Sequence, residues 1–226
     1  MAAHNNVKPV LRLLALHGYR QNERSFREKT GALRKILKGR AEIISISAPL
    51  MVPELDACAD NASPDSIQDE PRGWWFSNPH KKSFDAMEET KSCSGLEESL
   101  QYIAKTFSEL GPFSGILGFS QGAALVAMLC GLKQKGDPRF QFDFAILIAG
   151  FKSCSCEHKE YYQDIITVPS LHIYGDTDRV IPGNMSQELA SYFQNPVILT
   201  HVGGHFVPAS AAQKKVYIEF LNRYSE

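Results

Sequence analysis

Short apolar segments alternate with stretches of helical periodicity along most of this chain. Residues 10–16 and 42–47 are typical of buried strands, and residues 23–37 between them space their apolar side chains as one face of a helix does. The alternation continues through expected strands at 115–119, 144–149, 170–174 and 197–201 and expected helices at 96–110, 121–133, 185–193 and 211–224. This order predicts an α/β fold with a mostly parallel sheet of about six strands, flanked by helices on both faces.

The chain length of 226 residues falls in the range of a single domain, and we expect residues 1–226 to form one. Residues 49–83 depart from the alternating pattern, because they are rich in proline and polar residues and show no clear period. Loops of this length inside a compact domain tend to be functional or disordered. We therefore expect residues 49–83 to form a loop insertion near the active site.

Charge and composition exclude several classes of function. The 24 Lys and Arg residues balance 25 Asp and Glu residues, which argues against a nucleic-acid partner. The longest apolar stretch, 144–151, is interrupted by a glycine and is far shorter than the roughly 20 residues of a membrane span, so we expect no stable membrane insertion. The apolar run at 10–16 contains Arg12 and lacks a signal-peptide cleavage site.

Five cysteines at irregular spacing favour reduced thiols over a disulfide framework, and we expect a cytoplasmic protein. Cys154 and Cys156 lie near His158, but the chain has no CxxC pair of the kind that zinc sites use. A surface loop is the better interpretation of this segment. We expect no metal site and no other cofactor.

Gly118-Phe119-Ser120-Gln121-Gly122 lies between an expected strand and an expected helix, which is the setting of a nucleophile elbow. A serine on such a sharp turn needs neighbours without side chains so that its hydroxyl can project above the sheet. The helix that follows directs its first N–H groups toward a developing oxyanion. Ser120 is therefore the candidate nucleophile.

A serine nucleophile needs a base and a carboxylate that orients it, and both types of residue follow expected strands. Asp178 comes after strand 170–174, and His205 after strand 197–201. Asp176 competes with Asp178 but is suited to bonding turn amides, while His201 lies at a strand end, where a structural role is favoured. The carboxyl ends of parallel strands form the edge at which such sheets build their sites.

An oxyanion hole combines the amide after the nucleophile with one from an early loop. Gln121 supplies the first amide. The turn after strand 10–16 contains Gly18, which lets the backbone direct the Tyr19 amide toward the site, and His17 is expected to brace this turn. A plain strand-to-helix turn without a catalytic role is the alternative.

Trp74, Trp75 and Phe76 form an aromatic cluster within the polar 49–83 segment. One interpretation is that they bind substrate by walling an apolar channel, which would favour long straight acyl or alkyl chains. The other is that they fix a long loop to the core. The sequence leaves both open.

Five segments, LHGYRQN, PRGWWF, GFSQGAA, GDTDRVIP and GGHFVP, together resemble the FSH serine hydrolases, a branch of the α/β-hydrolase superfamily. The resemblance runs from about residue 10 to 224. It implies a compact α/β-hydrolase fold and carboxylic ester hydrolysis without metal or organic cofactor. It also assigns the nucleophile, acid and base to Ser120, Asp178 and His205, and the oxyanion amides to Tyr19 and Gln121.

The expected function is therefore a serine carboxylesterase that acts through an acyl-enzyme on a small-molecule or lipid-like ester. An acyl-protein thioesterase or a lysophospholipase would use the same catalytic residues, so only substrate comparison separates them. A non-catalytic binding module with a vestigial triad is the alternative from another class.

Overall fold

The computed structural model describes residues 10–53 and 70–225. Six strands form one sheet in the order β2-β1-β5-β6-β7-β8, and every pair in it is parallel. These strands are β1 (Leu11–Leu16), β2 (Ala41–Ile46), β5 (Gly115–Phe119), β6 (Phe144–Ile148), β7 (Ser170–Gly175) and β8 (Val197–His201). The predicted α/β class and the parallel sheet of about six strands are confirmed.

Two further strands, β3 (Leu50–Met51) and β4 (Arg72–Gly73), pair antiparallel outside the main sheet. They lie within the 49–83 segment, for which the sequence predicted only a loop. Of residues 52–71, which connect β3 to β4, residues 54–69 lie outside the described residues.

The helices are α1 (Glu23–Lys29), α2 (Gly31–Leu37), α3 (Leu96–Leu110), α4 (Gln121–Gln134), α5 (Gly183–Ser191) and α6 (Ala211–Leu221), with 3-10 turns at Cys156–Tyr162 and Asn222–Tyr224. The single helix expected over residues 23–37 is wrong, because the chain leaves helical geometry at Thr30, where φ is −96° and ψ is 8°. The Thr30 hydroxyl donates to the Phe26 carbonyl at 2.8 Å, a local bond that competes with helix continuation.

The order of the strands locates a crevice in the sheet. The chain moves from β1 to β2 in one direction and from β5 through β6 and β7 to β8 in the other, so β1 and β5 are neighbours where the order reverses. Right-handed crossovers then put α1 and α2 on one face and α4 on the other. Ligands of open α/β sheets bind beyond the carboxyl ends of the strands at such a reversal.

The centre of the core is α4, whose residues from Gln121 to Gly131 are all buried and which packs on β5 and β6 with one face. Both of these strands are buried along their whole length, as expected for central strands of a parallel sheet covered on two faces. A rigid, buried strand and helix therefore support the turn between them. Within the described residues, no helix is long and apolar enough to cross a membrane.

Candidate active site

The turn between β5 and α4 holds Ser120 in a strained conformation, with φ of 54° and ψ of −118°. L-residues without special support rarely adopt positive φ, and such strain is concentrated at functional sites. The Ser120 amide donates to the Ile148 carbonyl of β6 at 2.9 Å, which anchors the turn to the sheet. Ser120 thus has the backbone geometry of a nucleophile elbow.

The two glycines of the motif are explained by close approach of backbone to backbone. A Cβ atom on Gly118 would lie 2.5 Å from the Cα of Ala123, and one on Gly122 would lie 2.5 Å from the His17 carbonyl oxygen. Side chains at these positions would therefore push α4 away from β5 or from the loop after β1. The glycines allow the turn to be tight.

A pocket of about 350 Å³ opens beside Ser120, and His205 lines the same pocket. Much of its remaining wall is apolar, from Tyr19 after β1, Phe84 and Met87 before α3, and Val180 after β7. Asp85 and Arg179 add one charge of each sign. The pocket suits an uncharged, largely apolar ligand that reaches both Ser120 and His205.

His205 is held by a carboxylate. Its Nδ1 atom lies 2.7 Å from Oδ2 of Asp178, whose side chain is fully buried. Because an ionised carboxylate only accepts hydrogen bonds, Nδ1 carries the proton and Nε2 is left as the basic nitrogen. The His205 ring also packs on Phe119, with the ring centroids 4.7 Å apart. The imidazole is thus oriented by both a charge and an aromatic ring.

Backbone contacts join the loop that carries Asp178 to the loop that carries His205. The amide of Asp176 donates to the His201 carbonyl at 2.8 Å, and the amide of Thr177 donates to the Gly203 carbonyl at 3.3 Å. Gly175 lies so close to the Gly203 carbonyl that a side chain would collide with it. The two loops therefore form one unit that fixes the carboxylate against the imidazole.

The competing residues Asp176 and His201 have other positions. Asp176 is exposed. His201 is buried, its Nδ1 atom accepts the Gly203 amide at 3.2 Å, and its ring packs on Phe206. Burial lowers the pKa of His201 below its ordinary value. This histidine braces the loop that precedes His205.

In the loop after β1, the amides of three residues donate hydrogen bonds to other described residues, and the amide of one residue does not. The Gly18 amide donates to Oε1 of Gln21, the Arg20 amide to the Arg72 carbonyl, and the Gln21 amide to the Gly18 carbonyl. The Tyr19 amide has no acceptor within the described parts of the chain. Gln121 is the first residue of α4, so its amide likewise lacks an acceptor in its own helix.

His17 braces this loop. It is fully buried, its Nδ1 atom bonds the Gly18 carbonyl at 2.7 Å, and its Nε2 atom accepts the Ala48 amide at 2.9 Å. Desolvation lowers the pKa of His17 to about 4, so the ring is neutral near pH 7. A neutral ring with both nitrogens engaged is unsuited to proton transfer.

The aromatic cluster lies in the core instead of on the pocket wall. Trp74, Trp75 and Phe76 are 0%, 1% and 5% exposed, and none of them lines the pocket formed by the described residues. The expectation that they wall a substrate channel stays a prediction, and this lining does not support it. Trp75 contacts the pocket only indirectly, because its ring packs edge-on against Phe84 at 5.2 Å. The alternative, that these residues fix the loop to the core, agrees with their burial.

A second serine and histidine pair occurs away from this pocket. The Ser153 hydroxyl lies 2.6 Å from Nδ1 of His158, and Sγ of Cys93 lies 2.9 Å from Nε2. The sequence assigned His158 no particular role in its polar loop, but its ring is buried and its pKa is lowered to about 4 by desolvation. Burial raises the pKa of Cys93 to about 12, so this thiol is not a reactive thiolate.

No group of three or more His, Cys, Asp or Glu side chains within residues 10–53 and 70–225 is arranged to hold a metal ion.

Comparison with known proteins agrees with this geometry. The family model described as Serine hydrolase (FSH1) matches residues 7–217. The chain belongs to the FSH1 serine hydrolase family. Esterase OVCA2 of Xenopus tropicalis is 70% identical over 217 residues, covering 96% of this chain and 94% of the relative. Esterase OVCA2 of Homo sapiens is 49% identical, covering 96% and 97%.

Membership of the FSH1 family confirms the resemblance found in the sequence, and at the level of enzyme class these relatives confirm a carboxylic ester hydrolase. Among solved structures, an acyl-protein thioesterase 2 from Zea mays has a TM-score of 0.63 at 20% identity, covering 96% of each chain. A likeness at that identity supports the α/β-hydrolase fold alone.

Proposed function

We propose that this chain is a serine carboxylesterase in which Ser120 is the nucleophile, His205 the general base and Asp178 the residue that orients His205. The observation that carries the proposal is the shared pocket. A serine on a strained turn lines the same pocket as an imidazole whose other nitrogen lies 2.7 Å from a buried carboxylate. This is the arrangement that nucleophilic acyl transfer requires.

In the proposed reaction, Nε2 of His205 takes the proton of Ser120 while the Ser120 oxygen attacks the ester carbonyl. The amides of Tyr19 and Gln121 stabilise the oxyanion of the tetrahedral intermediate. His205 then returns its proton to the departing alcohol, which leaves an acyl-enzyme. A water molecule, deprotonated by the same nitrogen, releases the acid and restores Ser120.

The pocket favours a lipid-like ester as substrate. Tyr19, Phe84, Met87 and Val180 offer apolar surface, and each methylene buried there contributes about 0.8 kcal/mol to binding. The opposite charges of Asp85 and Arg179 give no preference for a charged head group. We therefore propose long straight-chain acyl or alkyl esters as substrates. We also propose that the chain forms one domain, is cytoplasmic and has no nucleic-acid partner.

The test is hydrolysis of p-nitrophenyl esters from acetate to long straight acyl chains. We expect the wild type to cleave them with kcat/KM rising with chain length, and Ser120→Ala to lose hydrolysis. Ser153→Ala is the matched control, because it removes the hydroxyl of the other serine that bonds a histidine. Hydrolysis that survives in Ser120→Ala, or that needs Ser153, would overturn the proposal. Cleavage of acyl thioesters alone would point to a thioesterase.

A further inference from the structure

Trp74 lies between the two backbone segments that carry the amides of Tyr19 and Gln121. Its indole Nε1–H donates to the His17 carbonyl at 2.8 Å, and its backbone N–H donates to Oε1 of Gln121 at 3.0 Å. The Ser99 hydroxyl donates in turn to the Trp74 carbonyl at 2.5 Å. One fully buried residue therefore bonds both segments at once.

The Gln121 side chain is fixed from both ends. Its Oε1 atom accepts the Trp74 amide, and its Nε2 atom donates to the Trp75 carbonyl at 2.8 Å. Gln121 is fully buried, so breaking either bond would leave a polar group without water. These bonds tie the first residue of α4 to the backbone of residues 74–75.

On the other side, the peptide group that contains the Tyr19 amide is also held. The carbonyl of this peptide group belongs to Gly18, and it is bonded by Nδ1 of His17 and by the Gln21 amide. In a trans peptide the N–H points opposite to the C=O, so fixing the Gly18 carbonyl fixes the direction of the Tyr19 N–H. The Trp74 indole holds the preceding carbonyl, that of His17, and its ring lies 5.1 Å from the His17 ring.

We propose that Trp74 is a positioning residue for the oxyanion hole, fixing the Tyr19 and Gln121 amides relative to one another through its bonds to His17 and Gln121. This inference rests on the proposed function. The amides must lie about 2.7–3.1 Å from the oxyanion to stabilise it, and a displacement of about 1 Å can cost a hundredfold in rate. Trp74 does not line the pocket, so it acts through the backbone and not on substrate.

The expected signature is a loss of kcat with KM preserved, because the oxyanion forms only after the Ser120 oxygen attacks. Trp74→Phe keeps an aromatic ring in the core and removes the indole N–H. We expect kcat to fall by about tenfold to a hundredfold while KM stays within about threefold. Affinity for an alkyl trifluoromethyl ketone, which adds Ser120 to form an oxyanion, should fall by the same factor as kcat/KM. Affinity for the matching alkyl ether should not change.

Two variants accompany this test. Thr30→Val removes a buried hydroxyl that donates to the Phe26 carbonyl and accepts from Nε of Arg34, so it controls for the loss of internal hydrogen bonds away from the pocket. Ser99→Ala is a milder change at the Trp74 carbonyl, and we expect it to lower kcat by about twofold to fivefold at constant KM. If Trp74→Phe fails to fold, Ser99→Ala still tests the inference.

The inference is overturned if kcat in Trp74→Phe and in Ser99→Ala equals that of wild type. It is also overturned if binding of the ketone and binding of the ether weaken equally, as a general loosening of the fold would cause. Ser120→Ala in the same assay separates the two proposals. Hydrolysis that persists in Ser120→Ala refutes the proposed function itself. Hydrolysis that is lost in Ser120→Ala but unchanged in Trp74→Phe and Ser99→Ala refutes only the role of Trp74.

Discussion

Asp178 divides its two carboxylate oxygens between His205 and the turn on which it stands. Oδ2 lies 2.7 Å from Nδ1 of His205, while Oδ1 accepts the amides of Val180 and Ile181 at 2.8 and 2.9 Å. Because the turn amides hold Oδ1, they fix the orientation of the whole carboxylate. Oδ2 is therefore directed toward His205 even without the bond to the imidazole. The tautomer of His205 follows from this turn, while the Phe119 ring helps to fix the position of the imidazole.

The first prediction concerns the acid. Asp178→Asn replaces an acceptor with an amide that can turn a donor toward Nδ1 of His205, which favours the wrong tautomer. We expect kcat to fall by about 10⁴ with KM little changed. The measurement is steady-state hydrolysis of a p-nitrophenyl ester. Asp176→Asn is the matched control on the same loop and should keep a rate within about twofold of wild type.

The second prediction concerns the backbone contact under the elbow. Gly122→Ala places a methyl group against the Leu16 and His17 carbonyl oxygens, which lie in backbone that cannot yield easily. We expect the free energy of unfolding to fall by about 1–3 kcal/mol, with loss of hydrolysis. Gly31→Ala adds the same methyl group at the start of α2, where nothing lies within 4 Å, and should leave stability and rate near wild type. Equal effects of the two changes in urea unfolding would contradict the explanation.

The third prediction concerns chain-length selectivity. Met87 lines the pocket and is 58% exposed, whereas Met51 is 57% exposed and lies outside the pocket. Met87→Ser should lower kcat/KM for long-chain esters by about threefold to tenfold while that for acetate stays constant, because a few buried methylene contacts are lost. Met51→Ser should leave the ratio unchanged. An unaltered ratio in Met87→Ser would place the acyl chain elsewhere.

The fourth prediction concerns stability at low pH. Burial lowers the pKa of His17 to about 4 and that of His172 to about 3, from an ordinary value of 6.5. Between these lowered pKa values and 6.5, both imidazoles are protonated in the unfolded chain but neutral in the folded chain. The free energy of unfolding therefore falls as pH drops. We expect stability to be full above about pH 6.5 and to decline toward pH 4, by up to about 3 kcal/mol per histidine.

Urea unfolding at a series of pH values checks this decline. His172→Leu should flatten the slope between pH 6.5 and 4, because within residues 10–53 and 70–225 Nε2 of His172 bonds Ser170 Oγ at 3.1 Å and no carboxylate. An unchanged slope in His172→Leu would mean that this ring titrates normally in the folded protein.

The sequence predicts much of the fold because the central strands β5, β6 and β7 are buried along their whole length and therefore form continuous apolar runs. Strands 115–119 and 197–201 and helix 96–110 have the bounds that the structure gives them. It also singles out Ser120, Asp178 and His205, which the structure brings together, since the carboxyl ends of parallel strands meet at one edge. Their catalytic roles remain predictions.

Elements that depend on tertiary contacts are less accessible to sequence reasoning. An aromatic cluster in a polar segment does not reveal which way it faces, so the burial of Trp74 between His17 and Gln121 could not be foreseen. His158 gives no signal either, because its partner Cys93 comes from a distant segment of the chain and the burial of the ring depends on that contact. The break at Thr30 coincides with side-chain bonds of its hydroxyl that the apolar period does not reveal.

The central claim is that Ser120, and no other serine, forms the covalent intermediate. The most direct measurement is labelling with an alkyl fluorophosphonate, followed by digestion and mass spectrometry of the modified peptide. We expect the adduct on the peptide that contains Ser120, its absence in Ser120→Ala, and a much slower reaction in His205→Ala. An adduct on Ser153, or ester hydrolysis by an enzyme that the probe never labels, would contradict this account.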